Sequence, residues 1–231
     1  MDRKPLQAPL IVVTGLLAEA RIARADNVIV LCGGGDCLRL TREISAHTAA
    51  GACAILSFGI AGGLAPGLKP GTCIIASEIV APRATGTQAW PADAAWNARL
   101  HRLLPEATGG ILAGIDTPAS TALEKAALRH ICAAVAVDME SHLAAELAYA
   151  VGLPFAALRA VADTADTSLP PAALIGMRPD GGSDIAAVLL SLALQPRQLP
   201  ALIRLALDVR KAMARLRHCR EALGSRFAFD I

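Results

Sequence analysis

Residues 134–170 read AVAVDMESHLAAELAYAVGLPFAALRAVADTADTSLP, two apolar runs that each close on a pair of carboxylates. The first pair is Asp138 and Glu140; the second is Asp163 and Asp166. Residues 135–137 and 155–161 have the nearly continuous apolar composition of strands buried on both faces. Between them, residues 140–151 place apolar side chains at helical spacing. Strand, helix and strand in this order predict a βαβ unit with both strand ends on one edge of a parallel sheet. Small polar ligands bind along such an edge. Two acidic clusters meeting there suit recognition of sugar hydroxyls and donation of a proton to a leaving group.

The same alternation continues outward. Apolar runs at 10–13, 28–31, 54–58, 73–76 and 111–113 read as further strands. Helical patterns fall at about 37–50, 94–103 and 121–131, and a last core helix at about 184–194. The fold class expected is α/β: one three-layer domain over residues 1–195, with a mixed, mostly parallel central sheet flanked by helices. Residues 168–183, rich in Pro and Gly, read as a loop. After Pro196, residues 196–231 read as a basic amphipathic helix appended to that domain.

Composition narrows the function classes. Hydrophobic residues make up 54% of the 231 but aromatics only 3%, so Ala, Leu, Val and Ile must build the core. No apolar run reaches the length of about 18 residues or more that spans a bilayer. The apolar start at residue 10 reads as a first strand rather than a signal peptide. Six cysteines form no CxxC and no Cys/His group with zinc spacing, so no metal or other cofactor is expected and the cytoplasm is the expected setting. Residues 197–220 hold seven basic residues against Asp208 alone, a net of +6, which leaves −4 for the rest of a chain whose total is +2. An acidic body of this kind argues against a nucleic-acid partner.

Two glycine-rich stretches stand beside the acidic ones. Residues 59–72, GIAGGLAPGLKPGT, follow a strand with small residues that let a ligand approach the backbone, or else form a tight connection between strands. Gly33, Gly34 and Gly35 precede a helix, where they form either a nest of N–H groups for an anion or a bare turn.

Taken in order, GIAGGLAPGLKPGT, VDMES (137–141) and RAVADTAD (159–166) resemble the purine nucleoside phosphorylase and nucleosidase superfamily. The resemblance runs from about residue 12 to 194. GLLAEARIA (15–23) and the triple glycine make the chain most similar to the hopanoid-associated phosphorylases, and next to the nucleosidases of methylthioadenosine and S-adenosylhomocysteine. The resemblance implies a nucleoside phosphorylase-like fold, a homo-oligomer, and cleavage of the N-glycosidic bond of an adenosine derivative with release of adenine. On its pattern Asp163 is the acid that donates toward purine N7. Glu140 accepts from the ribose 2′- and 3′-hydroxyls, Met139 packs on the ribose face, and Ala61 and Gly62 line purine and ribose. Asp138 departs from the nucleosidase pattern, in which glutamate is usual, and is expected to orient Glu140 or a backbone amide.

The nucleophile is open at this stage. An ungapped register puts Ala20 at the water-activating position, with Glu19 before it and Arg21 after it. Loss of the base and gain of a cation favour phosphate as co-substrate, held by Arg21 and Gly33–Gly35, with Asp36 as an opposing charge and Arg39, Arg42 and Arg83 as further candidates. The alternative is hydrolysis with Glu19 as base after a local shift. His142 reads as structural. The terminal helix packs on the body or a second subunit, or lies on an anionic membrane surface if the nucleoside is joined to a triterpene, as in adenosylhopane.

Overall fold

The computed structural model of the protein describes residues 8–176, 180–182 and 184–229. Along the chain run β1 (Leu10–Thr14), α1 (Leu17–Ala23), β2 (Val28–Cys32), α2 (Cys37–Ala49), β3 (Ala54–Gly63), β4 (Cys73–Arg83), β5 (Gly86–Pro91) and α3 (Ala94–Leu103). Then come β6 (Thr108–Gly114), α4 (Ala122–Cys132), β7 (Ala136–Asp138), α5 (Ser141–Ala150), β8 (Phe155–Asp163), α6 (Pro171–Ile175), α7 (Ile185–Leu194), a 3-10 turn and α8 (Leu199–Leu223). Helix starts follow local chemistry. Asp36 accepts from the Arg39 N–H at 2.9 Å, and Thr121 with Glu124 forms a reciprocal capping box at the start of α4.

The fold is α/β, with one mixed central sheet flanked by helices. Parallel pairings join β1 to β2 and β3, β3 to β8, β4 to β6, and β6 to β7. Antiparallel pairings join β3 to β7, β4 to β5 and β4 to β8. The long strands β3 and β4 each change partner along an edge, and the sheet closes into a ring through β3, β8, β4, β6 and β7. This corrects the βαβ expectation for residues 134–170. β7 and β8 are not neighbours, and β7 runs against β3 while β8 runs with it. The two acidic strand ends still meet, because Gly62 of β3 pairs with Val137 on one side and Asp163 on the other.

Aliphatic side chains fill both faces of the sheet, as the low aromatic content requires. One apolar cluster joins Leu10, Leu56, Phe58 and Leu158 to Trp96, Leu100 and the second half of α8. Ala212, Met213, Leu216, Cys219 and Leu223 of that helix are buried, followed by Phe227 and Phe229. Phe58 meets Phe227 at 5.2 Å, Trp96 meets Phe229 at 4.7 Å, and Trp96 Nε1 donates to the Phe227 carbonyl at 2.8 Å. The boundary expected at residue 195 therefore does not divide the packing, since the chain end completes the core. Within the expected loop of 168–183 a short helix, α6, forms, and residues 177–179 and 183 lie outside the described residues.

Candidate active site

The C-terminal ends of β1, β3, β7 and β8 wall one cavity. Its lining includes Gly15, Leu16 and Glu19; Ile60, Ala61 and Gly62; Asp138, Met139 and Glu140; and Ala162 and Asp163. Ile115, Pro118, Ala119 and Leu169 add an apolar side. Gly62 holds the two acidic strand ends apart by the width of one strand. A Cβ there would stand 3.3 Å from Val137 Cγ1 and 3.5 Å from Asp163 Oδ2, so a side chain would crowd both walls.

Beneath the Glu140 wall lies a buried charge cluster centred on Arg159 of β8. Its Nη2 pairs with Asp138, donates to Ser57 Oγ at 2.5 Å and lies 3.5 Å from Glu140 Oε2. Asp138 also accepts from the Ser141 N–H at 3.2 Å and from Ser141 Oγ at 2.6 Å. Asp138 is thus committed to the start of α5 and to Arg159. Glu140, at the N-cap of α5, makes no capping bond with its side chain, which leaves the carboxyl for the cavity. Burial pushes its pKa up to about 8, Asp138 and Glu19 push the same way, and Arg159 opposes them.

Glu19 is anchored by backbone. Its Oε2 accepts from the N–H groups of Gly15 and Leu16 at 2.8 and 2.9 Å, and its Oε1 accepts from Ile60 at 2.7 Å. Burial raises its pKa, and Arg159 is the largest opposing cause. Glycine is required at residue 59, where a Cβ would stand 2.6 Å from Arg159 Nη1 and 2.7 Å from Glu19 Oε2. An ungapped register had put Ala20 at this end of the cavity; the first turn of α1 instead turns Glu19 inward.

Asp163 ends β8, buried and in contact with Lys125 of α4. Lys125 Nζ donates to Asp163 Oδ2 and, at 2.8 Å each, to the carbonyls of Thr164 and Thr167. Burial raises the Asp163 pKa, and Lys125 opposes the rise. Asp166 is exposed, accepts from Thr164 Oγ1 and has a lowered pKa because of that bond. It is a turn residue. His142 is buried with Nε2 3.0 Å from Asp116 Oδ1, outside the cavity lining.

Geometry places the residues expected to hold phosphate outside the cavity lining. Arg21 lies in a surface groove with Arg217, Arg220 and Glu221, away from the cavity. The Gly33 and Gly34 N–H groups donate to the carbonyls of Thr14 and Gly15, and none of Gly33, Gly34 and Gly35 lines the cavity. Arg39 Nη2 donates to the carbonyls of Cys32 and Gly33, Arg42 donates to Leu38, and Arg83 pairs with Glu146. The loop is a turn between β2 and α2 rather than an anion nest. Arg159 and Lys125 are the cations that the sequence reading passed over. Arg159 stands inside an otherwise apolar strand, where a buried charge requires a partner, and that requirement was the available signal; Lys125, in a helix that also carries Glu124, Arg129 and His130, has no such mark. Among the described residues no group of three or more His, Cys, Asp or Glu side chains could hold a metal ion.

The model of the phosphorylase superfamily matches residues 8–193. Among curated proteins no match is found. Solved structures similar in fold include the S-adenosylhomocysteine nucleosidase of Streptococcus pyogenes in complex with 5-methylthiotubericidin. It is 19% identical with a TM-score of 0.60, over 71% of this chain and 87% of that one. The futalosine hydrolase of Helicobacter pylori is 18% identical with a TM-score of 0.60, over 68% and 88%. The 5′-methylthioadenosine/S-adenosylhomocysteine nucleosidase of the same organism is 16% identical with a TM-score of 0.63, over 91% and 97%.

Proposed function

The chain belongs to the phosphorylase superfamily, and from that premise we propose that it cleaves the N-glycosidic bond of an adenosine derivative carrying a bulky apolar 5′ group. The observation that carries this reading is that Asp163 and Glu140 face one cavity across Gly62. As the C1′–N9 bond breaks, its electron pair goes to the purine and positive charge grows on the ribose. Asp163 passes a proton to N7 and so stabilises the departing adenine. Glu140 accepts from the 2′- and 3′-hydroxyls, and in its ionised form it favours the oxocarbenium-like transition state. Met139 packs on the ribose face; Ala61 and Gly62 border the base.

Water is the nucleophile that the charges favour. Glu19, Asp138, Glu140 and Asp163 all border the cavity, while Arg159 and Lys125 are already paired. A phosphate dianion would enter a site whose cations among the described residues, Arg159 and Lys125, are spent on carboxylates. Glu19 has four lone-pair sites with three donors on them, so one remains to hold a water next to Arg159. Its raised pKa suits a general base. Phosphorolysis is the second reading and stays in the test.

The apolar 5′ group is supported by Leu16, Ile115 and Leu169 at the cavity and by the exposed aliphatic residues of α7. Leu169 lines the cavity, and the Leu17 N–H, next to the lining residue Leu16, donates to the Gly181 carbonyl at 3.1 Å. Just beyond, α7 presents Ile185, Leu189, Leu190 and Leu194 to solvent. An adenosine joined to a triterpene, as in hopanoid synthesis, fits this surface. The enzyme would meet that substrate at the inner face of a cytoplasmic membrane, as a homo-oligomer. Among the described residues no single helix is long and apolar enough to cross a membrane.

The test is adenine release from a panel of 5′-substituted adenosines, each assayed with and without phosphate. Release that is independent of phosphate and increases with an apolar 5′ group is expected. Strict phosphate dependence would replace water by phosphate, and no release from any adenosine derivative would end the reading.

A further inference from the structure

Lys125 is the least expected charge in the molecule. Its side chain is 1% exposed, and its three ammonium protons meet three acceptors: Asp163 Oδ2 and the carbonyls of Thr164 and Thr167. Nothing of it is left for a ligand. Among the described residues only the Oδ2 oxygen of Asp163 has a hydrogen-bond partner, so Lys125 occupies one carboxyl oxygen of a residue that lines the cavity and leaves Oδ1 without one.

We propose that Lys125 is a positioning residue for proton delivery, holding Asp163 by Oδ2 and supplying the positive charge beside which its carboxylate is left. The proposal rests on the reading of Asp163 as the acid. In the step, the proton on Oδ1 moves to purine N7 while the C1′–N9 electron pair moves to the base. Asp163 becomes anionic and regains its proton from water afterwards; Lys125 stays an ammonium throughout. Before the step the ammonium faces a neutral acid, and after it a carboxylate. Its attraction therefore grows as the reaction proceeds, which is the kind of interaction that speeds the chemical step.

The other charges around Asp163 do not replace it. Asp208 of α8 pushes the Asp163 pKa up and is paired with Lys211 at 2.8 Å. Asp166 is exposed in the following turn. Across the cavity stand Glu140, Asp138 and Glu19, with Arg159 held among them. Of the two buried cations among the described residues, only Lys125 contacts the acid.

The test measures kcat against pH for Lys125→Met and Lys125→Arg, with the nucleoside that the unmodified enzyme turns over fastest. Removing an adjacent positive charge raises a carboxyl pKa by about 1–3 units, so the basic limb of the Lys125→Met profile should move up by about one unit or more. Its plateau should fall about tenfold or more, because the acid is weaker and its anion unsupported. Lys125→Arg should return both toward the original values. A folded Lys125→Met with reduced rate and an unmoved limb would make the lysine merely structural and overturn the proposal. If Asp163→Asn keeps its adenine release, the acid assignment fails instead, which separates the two. Should Lys125→Met not fold, the 13Cε shift of Lys125 in the unmodified enzyme decides. An ammonium across the active pH range is required, and a neutral amine there overturns the proposal.

Discussion

Glu140 sets the cost of this site most plainly. With its pKa pushed up to about 8, the folded protein holds a proton on Glu140 that the unfolded chain releases near pH 4.5. The native state then binds more protons than the unfolded one, so this group's contribution to stability falls as pH rises from about 4.5 to about 8 and is level above. Glu140→Gln removes the titration. Its stability relative to the original should rise through that window, by at most about 1.4 kcal/mol per pH unit, while adenine release is lost. Urea unfolding of both proteins at pH 5, 6, 7 and 8 checks this; a constant difference would mean that Glu140 is ionised in the native protein. Asp138, Glu140 and Asp163 were legible in the sequence because they close apolar runs, and a charge at such a place faces a ligand edge; Glu19 entered only through the family resemblance. Arg159 was not legible, because a single cation inside an apolar strand gives no spacing to read, and Lys125 was not, because it reads as one of several charges on a helix. Only the need to compensate Asp138 and Asp163 points to them, and which cation meets which anion is set by the ring of strands.

At the scale of elements, α8 divides into two halves with different surroundings. Leu199, Ile203 and Leu207 are 45–52% exposed, whereas Leu216 is fully buried with Phe227 and Trp96 in the same cluster. Leu216→Ala should cost about 2–5 kcal/mol by emptying part of that cluster. Ile203→Ala should change stability by no more than about 0.5 kcal/mol, the range of ordinary surface substitutions. Denaturant midpoints of the two variants test the division, and equal losses would contradict it. The amphipathic stripe of α8 was legible as a period. Where along the helix it is covered was not, since Phe227 and Phe229, which cover its second half, lie after the periodic segment ends. β5 escaped for a related reason, because its residues are exposed except Trp90 and show no apolar run. The glycine loop misled because a strand-to-helix turn and an anion nest share one composition; the partners of Gly33 and Gly34 decide between them, and those partners are carbonyls of the neighbouring strand end.

Over the whole molecule, apolar exposure and positive charge gather at one end of the chain. Leu174 and Ile175 of α6, the outward residues of α7, and the first half of α8 form a succession of exposed aliphatic side chains, with no residue of α7 buried. Arg197, Arg204 and Arg210 belong to the same stretch, which carries most of the chain's basic excess. Aliphatic residues beside arginines are the composition of a surface that enters the headgroup region of an anionic bilayer. The proposed lipid-linked substrate would be delivered there. Removing everything after Pro196 cannot test this, because the cut also takes Leu216, Phe227 and Phe229 out of the core. Leu190→Glu with Leu194→Glu leaves the core intact, since both side chains are more than 60% exposed. Vesicles rich in phosphatidylglycerol should carry the unmodified protein upward in a density gradient and leave the double variant behind. The variant should still release adenine from a short, water-soluble 5′-alkylthioadenosine at the original rate, because the catalytic carboxylates are untouched. Equal flotation of the two proteins would remove the membrane contact. A unmodified protein that stays at the bottom as a dimer, with the variant a monomer, would assign the same aliphatic surface to a second copy of the chain.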